Sequence, residues 1–148
     1  MTSDVIRVLH IEDDRIQQGI VSLHLLAMKE CHFDIEHAAK EDEAVDAWLR
    51  GSFDLVILDH QLAEGNGVSC LRRIRQFDPV VPIIAVSGMA TPEVAVELIE
   101  AGADDYLSKQ NMTGNVLSQS VLNVMTRANS FRNRYSALRS TTPTRAAT

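Results

Sequence analysis

The sequence predicts an α/β fold in which a doubly wound, five-stranded parallel sheet carries helices on both faces. Three observations support this prediction: short apolar runs alternate with longer amphipathic stretches, the longer stretches show helical spacing, and polar residues follow several of the short runs. With 148 residues, of which 45% are hydrophobic, the chain is long enough to bury the core of one domain.

Five pairs of elements follow one another along the chain. Apolar positions recur at helical spacing from Ile16 to Ala27, which indicates a helix that packs on the sheet. Pro92 suits the first turn of the fourth helix, and Gly102 suits its end. The predicted strand and helix pairs are Val5–Ile11 with Ile16–Met28, Phe33–Ala38 with Glu41–Leu49, Leu55–Leu58 with Val68–Ile74, Pro82–Val86 with Val94–Ala101, and Tyr106–Leu107 with Val116–Leu138.

The fifth helix is unusual because its apolar residues repeat with alternating steps of four and three, as in a coiled coil. A domain of this size has little surface left to cover the second half of this stripe, so we expect that half to project and to support a weak homodimer. The polar composition after Arg139 predicts disorder. We therefore divide the chain into a globular domain at 4–128, an extension of the last helix at 129–139 and a disordered tail at 140–148. The stripe consists of Leu117, Val121, Val124, Ala128, Phe131, Tyr135 and Leu138.

The net charge of −6 is unevenly distributed, because all 20 acidic residues precede Asn111 while five of the 14 basic residues follow it. An acidic body argues against binding to nucleic acid. No apolar run reaches the roughly 18 residues of a membrane span, and the first residues lack the pattern of a secretory signal. Cys31 and Cys70 lie among apolar or helical neighbours, which indicates buried thiols. We therefore expect a soluble, cytoplasmic protein that binds neither nucleic acid nor a membrane.

Carboxylates follow two of the predicted strands. Glu12 and Asp13 come directly after the first strand, and Asp59 comes directly after the third. Ligands bind to an open parallel sheet at the carboxyl ends of its strands, near the point where the strand order reverses. If the first and third strands are neighbours there, the carboxylates converge, and their repulsion favours a hard cation such as Mg²⁺.

Two further polar residues complete a set that can transfer a phosphoryl group. Ser87 follows the fourth strand, and Lys109 follows the fifth. A carboxylate can attack phosphorus while a metal and an ammonium group neutralise the phosphoryl oxygens. Each of these residues alone is an ordinary turn or surface residue. The presence of a residue suited to phosphoryl transfer at each of four strand ends is what indicates a site.

These residues stand in motifs that resemble the response regulator receiver family, whose fold is flavodoxin-like, over roughly Val5 to Arg127. The resemblance implies that Asp59 is the phosphoacceptor, that Glu12 and Asp13 bind Mg²⁺ together with Asp59 and the backbone carbonyl of Gln61, and that Ser87 and Tyr106 form the conformational switch. It also implies catalytic roles for Lys109 and Ser87 and rate-tuning roles for Gln61 and Met89. His60 is a rate-tuning candidate because it borders the acceptor. The matching segments are Ile11-Glu12-Asp13, Asp59, Ser87-Gly88 and Gly102-Ala103-Asp104-Asp105-Tyr106-Leu107-Ser108-Lys109.

The resemblance further implies partners rather than a substrate. A histidine kinase or phosphotransfer protein would supply the phosphoryl group, and a downstream protein target would recognise the phosphorylated form. The chain would be a phosphoacceptor with at most self-catalysed phosphorylation and dephosphorylation, and not an enzyme that turns over.

Three positions depart from the family pattern. Gln110 follows Lys109 where the family has proline after a cis bond, which leaves the geometry of this peptide bond open because a cis bond before a residue other than proline costs about 3–4 kcal/mol. Ala63 replaces a frequent proline, which predicts a more mobile loop. Ser87 replaces the commoner threonine, which keeps the hydroxyl group with a less restricted rotamer.

Other classes of protein fit the sequence less well. A flavodoxin-like FMN carrier would need a phosphate-binding loop after the first strand, where Glu12 and Asp13 would repel phosphate. A phosphatase with an aspartyl nucleophile, of the haloacid dehalogenase kind, would need an acid two residues after Asp59, where Gln61 stands instead. A third alternative is the receiver fragment of a larger regulator with a downstream output domain.

Overall fold

In the computed structural model the described part of the chain forms a five-stranded parallel sheet with five α-helices. The structure describes residues 5–62, 64–89 and 91–147, with side chains as far as residue 130. The elements are β1 (Val5–Ile11), α1 (Arg15–Leu26), β2 (His32–Ala38), α2 (Glu41–Arg50), β3 (Leu55–Asp59), α3 (Gly67–Phe77), β4 (Ile83–Ser87), α4 (Pro92–Ala101), β5 (Asp105–Ser108), a 3₁₀ turn (Lys109–Asn111) and α5 (Gly114–Ala147).

The strand order is β2-β1-β3-β4-β5, with all neighbours parallel. The chain moves outward from β1 to β2, returns across β1 to β3, and then proceeds outward through β4 and β5. The order therefore reverses between β1 and β3, where Ile11 pairs with Leu58. This topology confirms the doubly wound fold. It places the carboxyl ends of β1 and β3 side by side, which is the condition on which the expected convergence of the carboxylates depends.

Two apolar clusters bury the faces of the sheet. Leu9 contributes to the cluster under α2, α3 and α4, whereas its neighbour Val8 contributes to the cluster under α1 and α5. Successive side chains of a strand point to opposite faces, so strands covered on both sides are apolar throughout. In β3, Leu55, Val56, Ile57 and Leu58 are all fully buried.

Polar side chains cap three helices where the sequence leads from a strand into a helix. Asp14 Oδ1 accepts from the Ile16 N–H at 2.8 Å and so caps α1. Asn66 caps α3, and Thr91 caps α4 with Pro92 in the first turn. These caps satisfy amide groups that the helix itself leaves without partners. They fix the starts of the helices next to the strand ends.

The last helix is longer than predicted. We expected it to end near Arg139 and to be followed by a disordered tail at 140–148, whereas α5 continues to Ala147. Extending an existing helix costs much less than nucleating one, and the arginine and alanines at 145–147 are strong helix formers. Pro143 within this stretch cannot donate a hydrogen bond to the carbonyl of Arg139. The side chains of the predicted projecting stripe, Phe131, Tyr135 and Leu138, lie outside the described residues.

The described part of the chain contains no helix with both the length and the apolar character that a membrane span requires. Both cysteines are free thiols; Cys70 is buried and Cys31 is half-buried. Burial, followed by the charge of Glu41, raises the pKa of Cys70 to about 12, so this thiol stays protonated and packs as an apolar side chain.

Candidate functional site

Three carboxylates meet at the carboxyl ends of β1 and β3. Glu12, Asp13 and Asp59 each offer an oxygen, and these oxygens lie within 4.8 Å of one another. Glu12 and Asp59 are only 2% and 3% exposed. The predicted convergence of the acidic residues is therefore what the structure shows. Because carboxylates this close repel one another, the cluster is suited to hold a small divalent cation.

Lys109 provides a positive charge within the cluster. Its Nζ donates to Oδ2 of Asp59 at 3.2 Å and lies 3.3 Å from Oε1 of Glu12. Burial alone would lower the pKa of Lys109, but the two carboxylates outweigh it and raise the pKa above its usual value. The ammonium group therefore stays charged beside Asp59.

Glu12 shows the cost of crowding these carboxylates. Its burial, followed by the negative charge of Asp59, raises the pKa of Glu12 to about 7, although the Asp14 N–H and Lys109 act in the opposite direction. The single ammonium group of Lys109 therefore does not fully neutralise the negative charge of the carboxylate cluster. A divalent cation would supply the missing charge.

The loop after β3 holds Asp59 from its other side. The N–H of Gln61 donates to Oδ1 of Asp59 at 3.1 Å. The first residue of α3, Gly67, lies so close to this loop that an added Cβ would approach the carbonyl oxygens of His60 and Asp59 to 2.5 Å and 2.6 Å. Only glycine allows this approach. Ala63, on which the prediction of greater loop mobility rests, lies outside the described residues.

Glu41 anchors the far end of the same loop, a role that the sequence analysis missed. Its carboxylate accepts from the Asn66 N–H at 3.1 Å, from Ser69 Oγ at 2.8 Å and from Arg73 at 2.9 Å. Burial would raise the pKa of Glu41, but these donors lower it below its usual value. A lone glutamate at a helix start gave no signal of this, because its partners lie more than 20 residues away.

Ser87 and Tyr106 meet at the backbone of Met89. The Oγ of Ser87 accepts from the Met89 N–H at 3.0 Å, and the hydroxyl of Tyr106 donates to the Met89 carbonyl at 2.9 Å. Ser87 is fully buried, and Tyr106 is half-buried against the core. The two predicted switch residues are thus linked through one residue of the loop between β4 and α4.

Two of the three predicted rate-tuning residues, Gln61 and Met89, contact each other across the site. Nε2 of Gln61 lies 3.1 Å from Sδ of Met89, which joins the loop after β3 to the loop after β4. Met89 is 46% exposed, so this pair lies at the surface beside the acceptor. The structure therefore brings Gln61 and Met89 together, while their effect on rates stays a prediction.

The bond between Lys109 and Gln110 is trans, since the described residues contain no cis peptide. The side chain of Gln110 donates to the Gly88 carbonyl at 2.9 Å and accepts from Ser108 Oγ at 2.7 Å. The strand that presents Lys109 is thereby tied to the loop that follows Ser87. Gln110 thus makes a contact for which the sequence offered no signal.

Comparison with known proteins agrees with this geometry. The family model for the response regulator receiver domain matches residues 8–121. The chain belongs to the response regulator receiver domain family, and it is a signalling module of the kind found in two-component systems.

Relatives include both long and short proteins. The chain is 30% identical over 109 residues to the transcriptional regulatory protein ZraR of Escherichia coli K12, covering 74% of this chain and 24% of that protein. It is 34% identical over 112 residues to the two-component response regulator ORR41 of Oryza sativa subsp. japonica, covering 74% and 87%. The chain thus spans about a quarter of ZraR but most of ORR41.

Solved structures share the fold. A CheY-like response regulator receiver domain protein from Methanospirillum hungatei superposes with a TM-score of 0.77 at 23% identity, covering 86% of this chain and 98% of that one. At this identity the likeness concerns the fold, which has the same parallel sheet covered by helices.

Proposed function

We propose that Asp59 accepts a phosphoryl group from a phosphohistidine on a kinase or phosphotransfer protein, and that Mg²⁺ is required. The observation that carries this proposal is the buried Asp59 carboxylate at a strand end, bordered by two further carboxylates and paired with Lys109 at 3.2 Å. Family membership supports the same reaction.

The chemistry needs one bond formed and one broken. An oxygen of Asp59 attacks phosphorus, the bond from phosphorus to the imidazole nitrogen of the donor breaks, and the donor imidazole keeps the electron pair and takes up a proton. Lys109 neutralises charge that develops on the phosphoryl oxygens, and the N–H of Gln61 holds the carboxylate in place.

Glu12, Asp13 and Asp59 fit a hard divalent cation, because their oxygens lie within 4.8 Å and one lysine leaves the cluster undercompensated. The family resemblance adds the backbone carbonyl of Gln61 as a further ligand. When bound, Mg²⁺ supplies positive charge next to the transferred group. Asp14 contributes to the helix cap and not to this set.

The phosphorylated state would be recognised by a downstream protein at the face formed by α4, β5 and α5. Hydrogen bonds through Met89 join Ser87, at the end of β4, to Tyr106 on β5, which is part of that face. Relatives such as ZraR are much longer than this chain, so an output domain in the complete protein is the second form in which this switch could act. We place the protein in the cytoplasm, where family members typically receive their phosphoryl groups, and we propose no contact with nucleic acid or membrane for the receiver itself.

An enzyme that turns over phosphate esters is the weaker candidate. Gln61 stands where a general acid would be required, and its amide contacts Met89 instead of facing a leaving group. We therefore propose that the chain catalyses at most its own phosphorylation and dephosphorylation.

The test is phosphoryl uptake from phosphoramidate with Mg²⁺, followed by intact mass. Wild type should gain one phosphoryl group, whereas Asp13→Ala should lose the dependence on Mg²⁺ and react much more slowly. Asp46→Asn, on the outside of α2, is the matched control and should react like wild type. Equal uptake with and without Mg²⁺ in wild type would overturn the metal assignment.

A further inference from the structure

The imidazole of His60 lies between the hydroxyl of Ser87 and a carboxylate of α4. Its Nδ1 is 3.3 Å from Ser87 Oγ, and its Nε2 is 3.7 Å from Oε1 of Glu97. Ser87 is fully buried and the side chain of His60 is 14% exposed, while that of Glu97 is 53% exposed. A chain of polar groups therefore runs from the buried hydroxyl to the surface of α4.

The hydroxyl of Ser87 lies within hydrogen-bond distance of Nδ1 of His60, and the tautomer of the ring decides which of the two groups donates. Its oxygen already accepts from the Met89 N–H at 3.0 Å, and its single proton is directed to Nδ1 of His60 at 3.3 Å or to the Met89 carbonyl at 3.4 Å. A neutral ring that accepts at Nδ1 carries its hydrogen on Nε2. That hydrogen then faces the carboxylate of Glu97.

We propose that His60 is a positioning residue that couples Ser87 to α4 through Glu97, an inference that rests on the proposed phosphorylation of Asp59. A phosphoryl group on Asp59 is a charged acceptor, and hydrogen bonds to charged acceptors are the stronger ones. In the tautomer that accepts at Nδ1, one hydroxyl proton cannot serve both the ring and the phosphoryl group. When Ser87 donates to the phosphoryl group, the buried Nδ1 of His60 loses its partner, and the ring and its contact with Glu97 lose their fixed position.

The anchoring of α4 allows such a change to move it. The buried residues of α4 are Leu98 and Ala101, whereas α3 buries five residues along its length. Val96 and Ile99 of α4 are 54% and 47% exposed. A helix with few buried side chains is displaced at little cost, so a change in the contact at Glu97 can alter the position of α4.

The test separates the two halves of the link. His60→Asn places an amide near the position of Nδ1 and leaves nothing at Nε2, so it keeps the contact with Ser87 and removes the contact with Glu97. Glu97→Ala removes the same contact from the other side. Glu93→Ala, one turn earlier on α4, is the matched control.

Amide chemical shifts of residues 93–101 are recorded before and after phosphorylation with phosphoramidate and Mg²⁺. We expect the response of α4 to fall to about half or less in His60→Asn and Glu97→Ala when the variants and wild type are compared at equal phosphoryl occupancy, which intact mass measures. Glu93→Ala should respond fully. A full response of α4 in both test variants at equal phosphoryl occupancy would overturn the coupling.

A second measurement uses the resting protein and does not depend on phosphorylation. Ser87→Ala should shift the Nδ1 resonance of His60, and Glu97→Ala should shift it as well, with a smaller effect when Ser87 is already replaced. An Nδ1 resonance unaffected by Glu97→Ala would contradict the link. If wild type took up no phosphoryl group, the proposed function would fail, and this resting-state measurement would still decide whether the link exists.

Discussion

Glu12→Gln should stabilise the metal-free protein, and the gain should grow with pH. Burial and the charge of Asp59 raise the pKa of Glu12 from 4.5 to about 7. The folded state therefore binds this proton more tightly than the unfolded state does. Glutamine keeps the size of the side chain and removes the charge, so the variant relieves the repulsion within the cluster.

The size of the effect follows from the raised pKa. A rise from 4.5 to about 7 corresponds to roughly 3 kcal/mol as an upper value. Because the folded-state pKa lies above the unfolded one, this stability is present below about pH 4.5 and is lost as the pH rises through about 7. The unfolding free energy of Glu12→Gln minus that of wild type should therefore rise between about pH 5 and pH 8.

Urea unfolding at several pH values in this window, with a chelator present, measures that difference. Other titrating groups, such as His10, whose pKa burial lowers to about 3, occur in both proteins and largely cancel. Glu100→Gln, on the exposed side of α4, should show no such trend. Saturating Mg²⁺ should reduce the difference in unfolding free energy between Glu12→Gln and wild type. A difference that stays flat from pH 5 to pH 8 would refute the reasoning.

Three further predictions follow, two from the structure and one from the apolar stripe in the sequence. Gly67→Ala should lower the free energy of unfolding by about 1–3 kcal/mol, because the new Cβ would overlap backbone oxygens at 2.5 Å and 2.6 Å. Gly19→Ala, with open space around it in α1, should leave that free energy unchanged or raise it in the same urea unfolding experiment. Gln110→Ala should slow phosphoryl uptake by severalfold in a stopped-flow assay, because the hydrogen bond from Gln110 to the Gly88 carbonyl is lost. Gln119→Ala on α5 should react like wild type. Equal uptake rates in Gln110→Ala and wild type would refute a role for this hydrogen bond. A chain that ends at Arg127 should sediment as a monomer at low and high salt. The full chain should form a weak dimer, and high salt should strengthen it. Monomers from both chains under both conditions would leave the apolar stripe of α5 without a role in assembly.

The residues at the strand ends were predictable because the strands of this sheet appear in the sequence as short apolar runs that alternate with amphipathic helices. Asp59 comes at the end of the third apolar run, and Lys109 comes directly after the fifth strand. Because the strands are parallel, both residues lie at one edge of the sheet. The pairing of β1 with β3 then places Glu12 beside Asp59. These features depend on strand direction, which the alternation of elements specifies, and on strand order, which the sequence left as a condition and the structure supplies.

Contacts between loops were not predictable in this way. The anchoring of the loop after β3 by Glu41 and the contact of Gln110 with Gly88 depend on side-chain directions that a hydrophobic pattern does not encode. The approach of His60 to Glu97 likewise joins residues far apart in the sequence. The length of α5 was underestimated, because polar composition and Pro143 predict disorder while helix propagation favours continuation.

The most direct measurement locates the phosphoryl group. After reaction with phosphoramidate and Mg²⁺, borohydride reduces an aspartyl phosphate to homoserine, and peptide mass spectrometry identifies the altered residue. We predict conversion at Asp59, with none at Asp13 or Glu12 and none anywhere in Asp59→Asn. Phosphoryl uptake that persists in Asp59→Asn, or conversion at another carboxylate of wild type, would contradict the assignment of Asp59 as the phosphoacceptor.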